Sequence, residues 1–198
     1  LQSDGKTTGT YFIIYDANGT RIKNPIVVDA TTDRFSYVSV TPINSTSFAI
    51  GWIDNPSTTA KFAIYDDTGT VVNASIDVET SVSAATTNYS MISIVATGAD
   101  ATVGPTNNRI VVDVAEAAEN DNDLFVYNYT GALTVAEFGP DNTIAIDVTM
   151  NNILEAATIN TTRFVTIWFD DGAGGDAISY SIYDELGTQI VGLTDIDA

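Results

Sequence analysis

The sequence predicts an all-β fold of antiparallel four-stranded repeats arranged as β-propeller-like blades, with a β-sandwich as the alternative. Three observations predict it. One turn is written four times: IYDANGT from Ile14 to Thr20, IYDDTGT from Ile64 to Thr70, VYNYTGA from Val126 to Ala132 and IYDELGT from Ile182 to Thr188. The tyrosines of these turns, Tyr15, Tyr65, Tyr127 and Tyr183, are spaced by 50, 62 and 56 residues, a period that belongs to repeat architectures. Between the turns, apolar runs stay at strand length, are rich in β-branched and aromatic residues, and are cut by Gly, Pro, Asn and Asp.

The first unit shows the strands in order: YFIIY, RIKNPIVV, FSYVSVTPI and SFAIGWI. Past the turn, TRIKNPIVVDA, TVVNASIDVET and TQIVGLTDIDA align without a gap. SFAIGWID and RFVTIWFD close the first and third units on Trp52 and Trp168, which at matching repeat positions are expected to pack between blades rather than stack on sugars. The second unit departs from the pattern, with an insertion and no Trp, and VVDVAEAAEN from Val111 to Asn120 is the one stretch that could finish as a helical turn. The units therefore run 9–58, 59–121, 122–176 and 177–198 within a single all-β repeat domain spanning 1–198.

The repeated D-x-x-G-T element is hairpin chemistry. Asp or Asn bonds a nearby backbone N–H and Gly takes a positive φ, so together they reverse the chain. The competing reading, calcium loops starting at Asp16 and its counterparts, lacks the further carboxylates of a twelve-residue loop.

An aromatic strand, D-x-x-G, an extended strand ending in V-D or V-E, and a fourth strand ending at Trp together resemble the tandem propeller-type repeats of very large secreted bacterial and archaeal cell-surface proteins. Those often end their fourth strand in F-V-V-x-W, which RFVTIW and SFAIGW approximate. The resemblance covers most of units one and three and the first half of units two and four, and it implies surface exposure rather than one activity.

Composition narrows the function. The 198 residues are 44% hydrophobic, enough for a sizeable core, yet 26 acidic residues stand against 7 basic ones, for a net charge of -19 without any His. Such a surface repels phosphate backbones and anionic lipid heads, so nucleic acid and membrane surfaces are poor partners, and with no apolar run of the roughly 18 to 20 residues that cross a bilayer, no membrane insertion is expected. Without Cys or His the ordinary nucleophiles and bases are missing, leaving only carboxylate pairs, so no enzyme is expected. The chain begins at Leu1 with no apolar leader, so any targeting segment is expected to have been removed or to lie outside this stretch.

Two kinds of site remain. Asn18, Asn44, Asn73, Asn88, Asn128 and Asn160 each head an N-x-S/T sequon, pointing to a glycosylated, extracellular or cell-surface protein. DDGAGGD offers Asp170, Asp171 and Asp176 as hard oxygen ligands, so Ca²⁺ is the one candidate cofactor; the alternative is a plain acidic loop. ENDNDL, from Glu119 to Leu124, has similar chemistry and reads as turn.

The last unit stops at Ala198, the equivalent of Ala30, with its third and fourth strands unwritten. The hairpin from Tyr180 to Ile196 is therefore expected to present an unpaired edge, with Tyr180, Ile182, Tyr183, Ile190 and Ile196 as assembly residues. Its partners would be copies of the same chain or further repeats. The expected function is a subunit or segment of an extracellular filament or surface layer, built head to tail by strand completion. The alternative is a ligand- or glycan-binding, calcium-dependent module of a larger adhesin.

Overall fold

The computed structural model describes residues 9–30, 37–54, 59–78, 89–98, 108–116, 121–138, 154–170 and 177–196. All regular structure among them is β, in antiparallel strands. The first sheet has two strands, β1 (Thr10–Phe12) and β2 (Ile26–Asp29). The second has four, β3 (Val38–Asn44), β4 (Ser47–Asp54), β5 (Thr59–Asp66) and β6 (Val71–Asp77). The third runs through β7 (Tyr89–Thr97), β8 (Arg109–Glu116), β9 (Asp121–Asn128) and β10 (Leu133–Phe138). The fourth contains β11 (Leu154–Asn160), β12 (Arg163–Asp170), β13 (Ala177–Asp184) and β14 (Gln189–Asp195). Each is a meander in which sequence neighbours pair.

The predicted strands are there, but the sheets are out of phase with the sequence units. In the three four-stranded sheets the repeated aromatic strand is the third strand and not the first. FSYVSVTPI and SFAIGWI pair forward, β4 with β5 from Ser47↔Asp66 to Asp54↔Thr59, in place of closing a sheet with β1 and β2. By the same rule β12 pairs with β13 from Arg163↔Asp184 to Asp170↔Ala177. The hairpin of Tyr180 to Ile196 thus completes a four-stranded sheet, and the two-stranded sheet lies at the other end, at β1–β2. The stretch that could end as a helical turn is strand through Glu116, and ENDNDL enters strand β9 at Asp121.

The turn chemistry is as the sequence predicts. Asp66 Oδ1 accepts the amides of Thr68 and Thr70 at 2.9 and 2.8 Å, and Asp16 and Asp184 do the same in their own turns. Asn128 replaces Asp without loss because only Oδ1 is used, accepting from Thr130 and Ala132 at 2.9 and 3.0 Å. Gly19, Gly69, Gly131 and Gly187 follow with φ of 78 to 82°.

The sheets stack face on face in chain order. We call the side turned to the following sheet the front and the other the back. Phe62, Ile64 and Val78 on the front of the second sheet meet Phe125 and Tyr127 on the back of the third. Leu124 and Val126 on the front of the third meet Phe164 and Tyr183 of the fourth. The small first sheet joins through Phe12 and Val28, which cover Trp52 and Tyr65. Strand alternation makes this possible, since each of these strands carries one apolar set per face. Strands β3, β7 and β11 lie beside one another as the inner strands, while β6 and β14 are largely exposed at the outside. That is the arrangement of propeller blades.

The turn glycines report on stacking. A Cβ on Gly69 would run into Ile26 of the first sheet, and one on Gly131 into Ile76 of the second, whereas one on Gly19 meets nothing within 4 Å. Gly19→Ala is expected to cost about 1–2 kcal/mol for the left-handed backbone alone. Gly69→Ala should cost somewhat more, because the Cδ1 end of Ile26 must also swing aside. Chemical denaturation of the two variants measures the difference, and equal losses would show that the turn does not register the neighbouring sheet.

Candidate functional site

Three features carry candidate chemistry: the contacts between sheets, the groove between the inner strands, and the exposed turns. At the contacts, the tyrosine of each repeated turn points backward. Tyr65 packs on Phe12 of the preceding sheet with ring centroids 4.7 Å apart, and Tyr127 packs on Phe62 at 4.8 Å. Tyr183 stacks on Phe164 of its own sheet at 5.5 Å and presses on the third sheet. These three are 2 to 3% exposed, while Tyr15, whose strand has no preceding sheet among the described residues, is 54% exposed.

Tyr183 is therefore an internal contact and not an assembly residue, because alternation turns it away from Tyr180 and Ile182. Those two lie half-buried on the front of the fourth sheet, and Ile190 and Ile196 are exposed. Both tryptophans lie between sheets, as expected. Trp52 Nε1 donates to Asp29 Oδ2 at 3.1 Å across to the first sheet, and Trp168 packs with Met91, Ala115 and Leu154.

Polar pins join the inner strands. Ser39 Oγ accepts the Ile94 amide at 3.1 Å and Ser93 Oγ accepts the Ala156 amide at 2.9 Å, each reaching from one sheet to the next. In the fourth sheet the position equivalent to Ser39 and Ser93 is Glu155. Between the inner strands runs a groove of about 410 Å³ lined by Ser39, Thr41, Ile94, Ala96, Glu155 and Thr158 among others. It holds hydroxyls and one carboxylate and no aromatic ring, so it has the polarity to meet a small hydroxylated ligand but no stacking platform.

The sequons divide by geometry. In Asn44, Asn128 and Asn160 the side-chain Oδ1 accepts both the amide and the hydroxyl of the sequon threonine. This leaves each amide nitrogen directed away from that turn. Asn18 is exposed in its hairpin. Asn73 differs, since its Nδ2 donates to the Thr130 carbonyl of the next sheet. Asn88 lies outside the described residues.

Asp170 ends β12, and Asp171 and Asp176 lie outside the described residues. No group of three acidic side chains that could hold a metal occurs among the described residues. No helix among them is long and apolar enough to cross a membrane. No family model matches the chain, and no curated protein matches it either.

Sequence reasoning missed the Ser39 and Ser93 pins. Their signal was a small hydroxyl in the strand before each Trp- or Val-rich strand, indistinguishable there from ordinary strand composition. It also missed Lys61, whose ammonium donates to Asp54 at 2.6 Å. Partial burial lowers the Lys61 pKa, but the Asp54 hydrogen bond and the charges of Asp54, Asp77 and Asp29 outweigh it, so the net direction is upward.

Burial pushes the Tyr65 phenol above its ordinary value. Burial does the same to Tyr183, helped by the Asp113 charge and opposed by hydrogen bonds with Ser181 and Gln189. A phenol raised in the folded state binds its proton more tightly there than in the unfolded chain. The contribution is thus complete below the ordinary phenol pKa and is lost as pH rises through the raised folded value. Tyr65→Phe keeps the ring and removes the ionisation, so its unfolding midpoint should fall less steeply than the parent's above about pH 10. Identical alkaline profiles would remove the proposed coupling.

In acid the sign reverses. The Asp66 carboxyl is held below its ordinary value, first by the Thr68 hydroxyl and then by the Thr70 amide. Its contribution is present above the ordinary carboxylate range and is lost as pH falls through the lowered folded value. Asp66→Asn should copy the Asn128 turn, fold normally, and lose part of the acid sensitivity seen in thermal melts. A melt series as acid-sensitive as the parent's would contradict this.

Proposed function

We propose that the protein is a structural segment of an extracellular filament or surface layer, in which the stack of sheets continues beyond this chain. One observation carries the reading: among the described residues, a sheet face lies open at each end of the stack. At one end β1 pairs only with β2 among the described residues, and two inner strands would be needed to bring that sheet to the size of the other three. At the other end the front of the fourth sheet has no following sheet among the described residues. The strands missing beside β1 are the kind that precede β5, β9 and β13 in their own sheets, so completion by strand addition is the reading most consistent with the repeat.

The open sequon turns fit a glycosylated surface, and the resemblance to repeats of secreted surface proteins points the same way. The acidity fits a protein that must stay apart from its copies until specific surfaces meet. Filaments or sheets seen by electron microscopy of the native material, with an axial repeat that matches a stack of these sheets, are the expected result. A native particle that stays a monomer at every concentration would end the reading. Mass measurement of the same material should show added sugar, with Asn73 unmodified.

A second reading rests on the groove. As a module of a larger adhesin, the chain would hold a glycan among Ser39, Thr41, Glu155 and Thr158. A glycan array with no binder, or binding unaffected by Glu155→Gln, would set it aside.

A further inference from the structure

The front of the fourth sheet repeats, position by position, a surface that is covered elsewhere in the chain. Aligning the second sheet with the fourth on their paired turns sets Ile43 against Ile159, Phe62 against Tyr180, Ile64 against Ile182 and Val78 against Ile196. The backbone agrees: the Val78 amide donates to the Ala60 carbonyl at 2.8 Å and the Ile196 amide donates to the Ile178 carbonyl at 2.8 Å. In the second sheet these positions are sealed by the third. Ile43 and Val78 are 0% exposed, whereas Ile159 is 49% and Ile196 58% exposed.

The back of the first sheet repeats the complementary surface. Tyr15 stands where Tyr65, Tyr127 and Tyr183 stand, and Ile13 stands where Ala63, Phe125 and Ser181 are buried. Tyr15 and Ile13 are exposed, and a Cβ on the turn glycine beside them, Gly19, would meet nothing within 4 Å, unlike one on Gly69 or Gly131. So one half of a thrice-used contact is open at one end of the chain, and the other half is open at the opposite end.

We propose that these two ends dock on each other between two copies of the chain, head to tail. The outer half of the front of the fourth sheet, Tyr180, Ile182 and Ile196, seats the back of β1–β2 of a second copy. The Tyr180 ring takes the place that Phe12 holds on Tyr65 and Phe62 holds on Tyr127, and packs on Tyr15. The partner is identified by the interface within the chain: what covers Phe62 and Ile64 is the back of another such sheet, and the back of the first sheet is exposed. The two surfaces lie on different patches, so the contact is heterologous and gives either a closed ring or an open fibre according to its rotation. This inference rests on the reading that the stack continues beyond one chain.

The test uses the full chain, which has no cysteine of its own. Tyr15→Cys and Tyr180→Cys are made as separate proteins, mixed, and treated with a bis-maleimide that spans the roughly 10 Å between packed sheets. Salt near 1 M brings the Debye length to about 3 Å and suppresses repulsion between acidic copies. Val72→Cys, exposed on an outer strand of the second sheet, replaces Tyr180→Cys in the control. The expected result is a Tyr15→Cys to Tyr180→Cys product at least tenfold above the control, and association weakened tenfold or more by Tyr15→Asp with unchanged circular dichroism. Association that persists while the cross-link stays at control level, or that ignores Tyr15→Asp, overturns this interface and leaves the structural reading standing. A specific cross-link in particles that never grow beyond a small closed ring keeps the interface and overturns the filament. Folded protein that shows no association at any salt or concentration overturns both.

Discussion

A β-sheet with apolar side chains on both faces gains most when both faces are covered, and the second and third sheets of this chain are covered in that way. The contact that answers this constraint is a backward-facing tyrosine set on an apolar residue of the sheet before it. Tyr65 on Phe12 and Tyr127 on Phe62 place their rings edge-on or tilted at under 5 Å, within the range favoured by aromatic quadrupoles. The third contact replaces the front-facing ring with Leu124 and keeps a ring stacked alongside the tyrosine, Phe164 on Tyr183 as Phe48 on Tyr65. From this contact follow the order of the sheets, the close approach of Gly69 and Gly131, and the exposure of Tyr15.

Polar groups are placed so as not to compete with that contact. The Asp and Asn of the turns spend their oxygen on amides of their own hairpin, out at the rim. The serines of the inner strands each satisfy one amide of the next sheet, Ile94 in β7 and Ala156 in β11, without a continuous ladder between sheets. Within the third contact, Asp113 is fully buried and receives the Thr166 hydroxyl, a polar bond that fixes the fourth sheet against the third.

Much of this was legible in the sequence, because turn chemistry and strand alternation are local. IYDDTGT announced its hairpin, and RFVTIWFD announced a strand with Phe164 and Trp168 on one face. The phase of the sheets was not legible. Nothing within YFIIY states whether it opens a sheet or occupies its third place, since that depends on which neighbour offers the better hydrogen-bonded edge. For the same reason the sequence assigned Tyr183 to an open surface, although it shares a strand with Tyr180 and faces the other way. The serine pins were hidden because a hydroxyl in a strand has no signature until another backbone is brought beside it.

Each four-stranded sheet is entered along its inner strand and left along its outer one, and its ladders close within itself. A pull on the two ends of such a sheet therefore acts across the strands and loads the hydrogen bonds one after another from the rim. Sheets joined in this way would give up one at a time at low force, each releasing roughly 170 Å of chain for a 50-residue repeat. A material made of them would stretch and dissipate work before any covalent link came under strain.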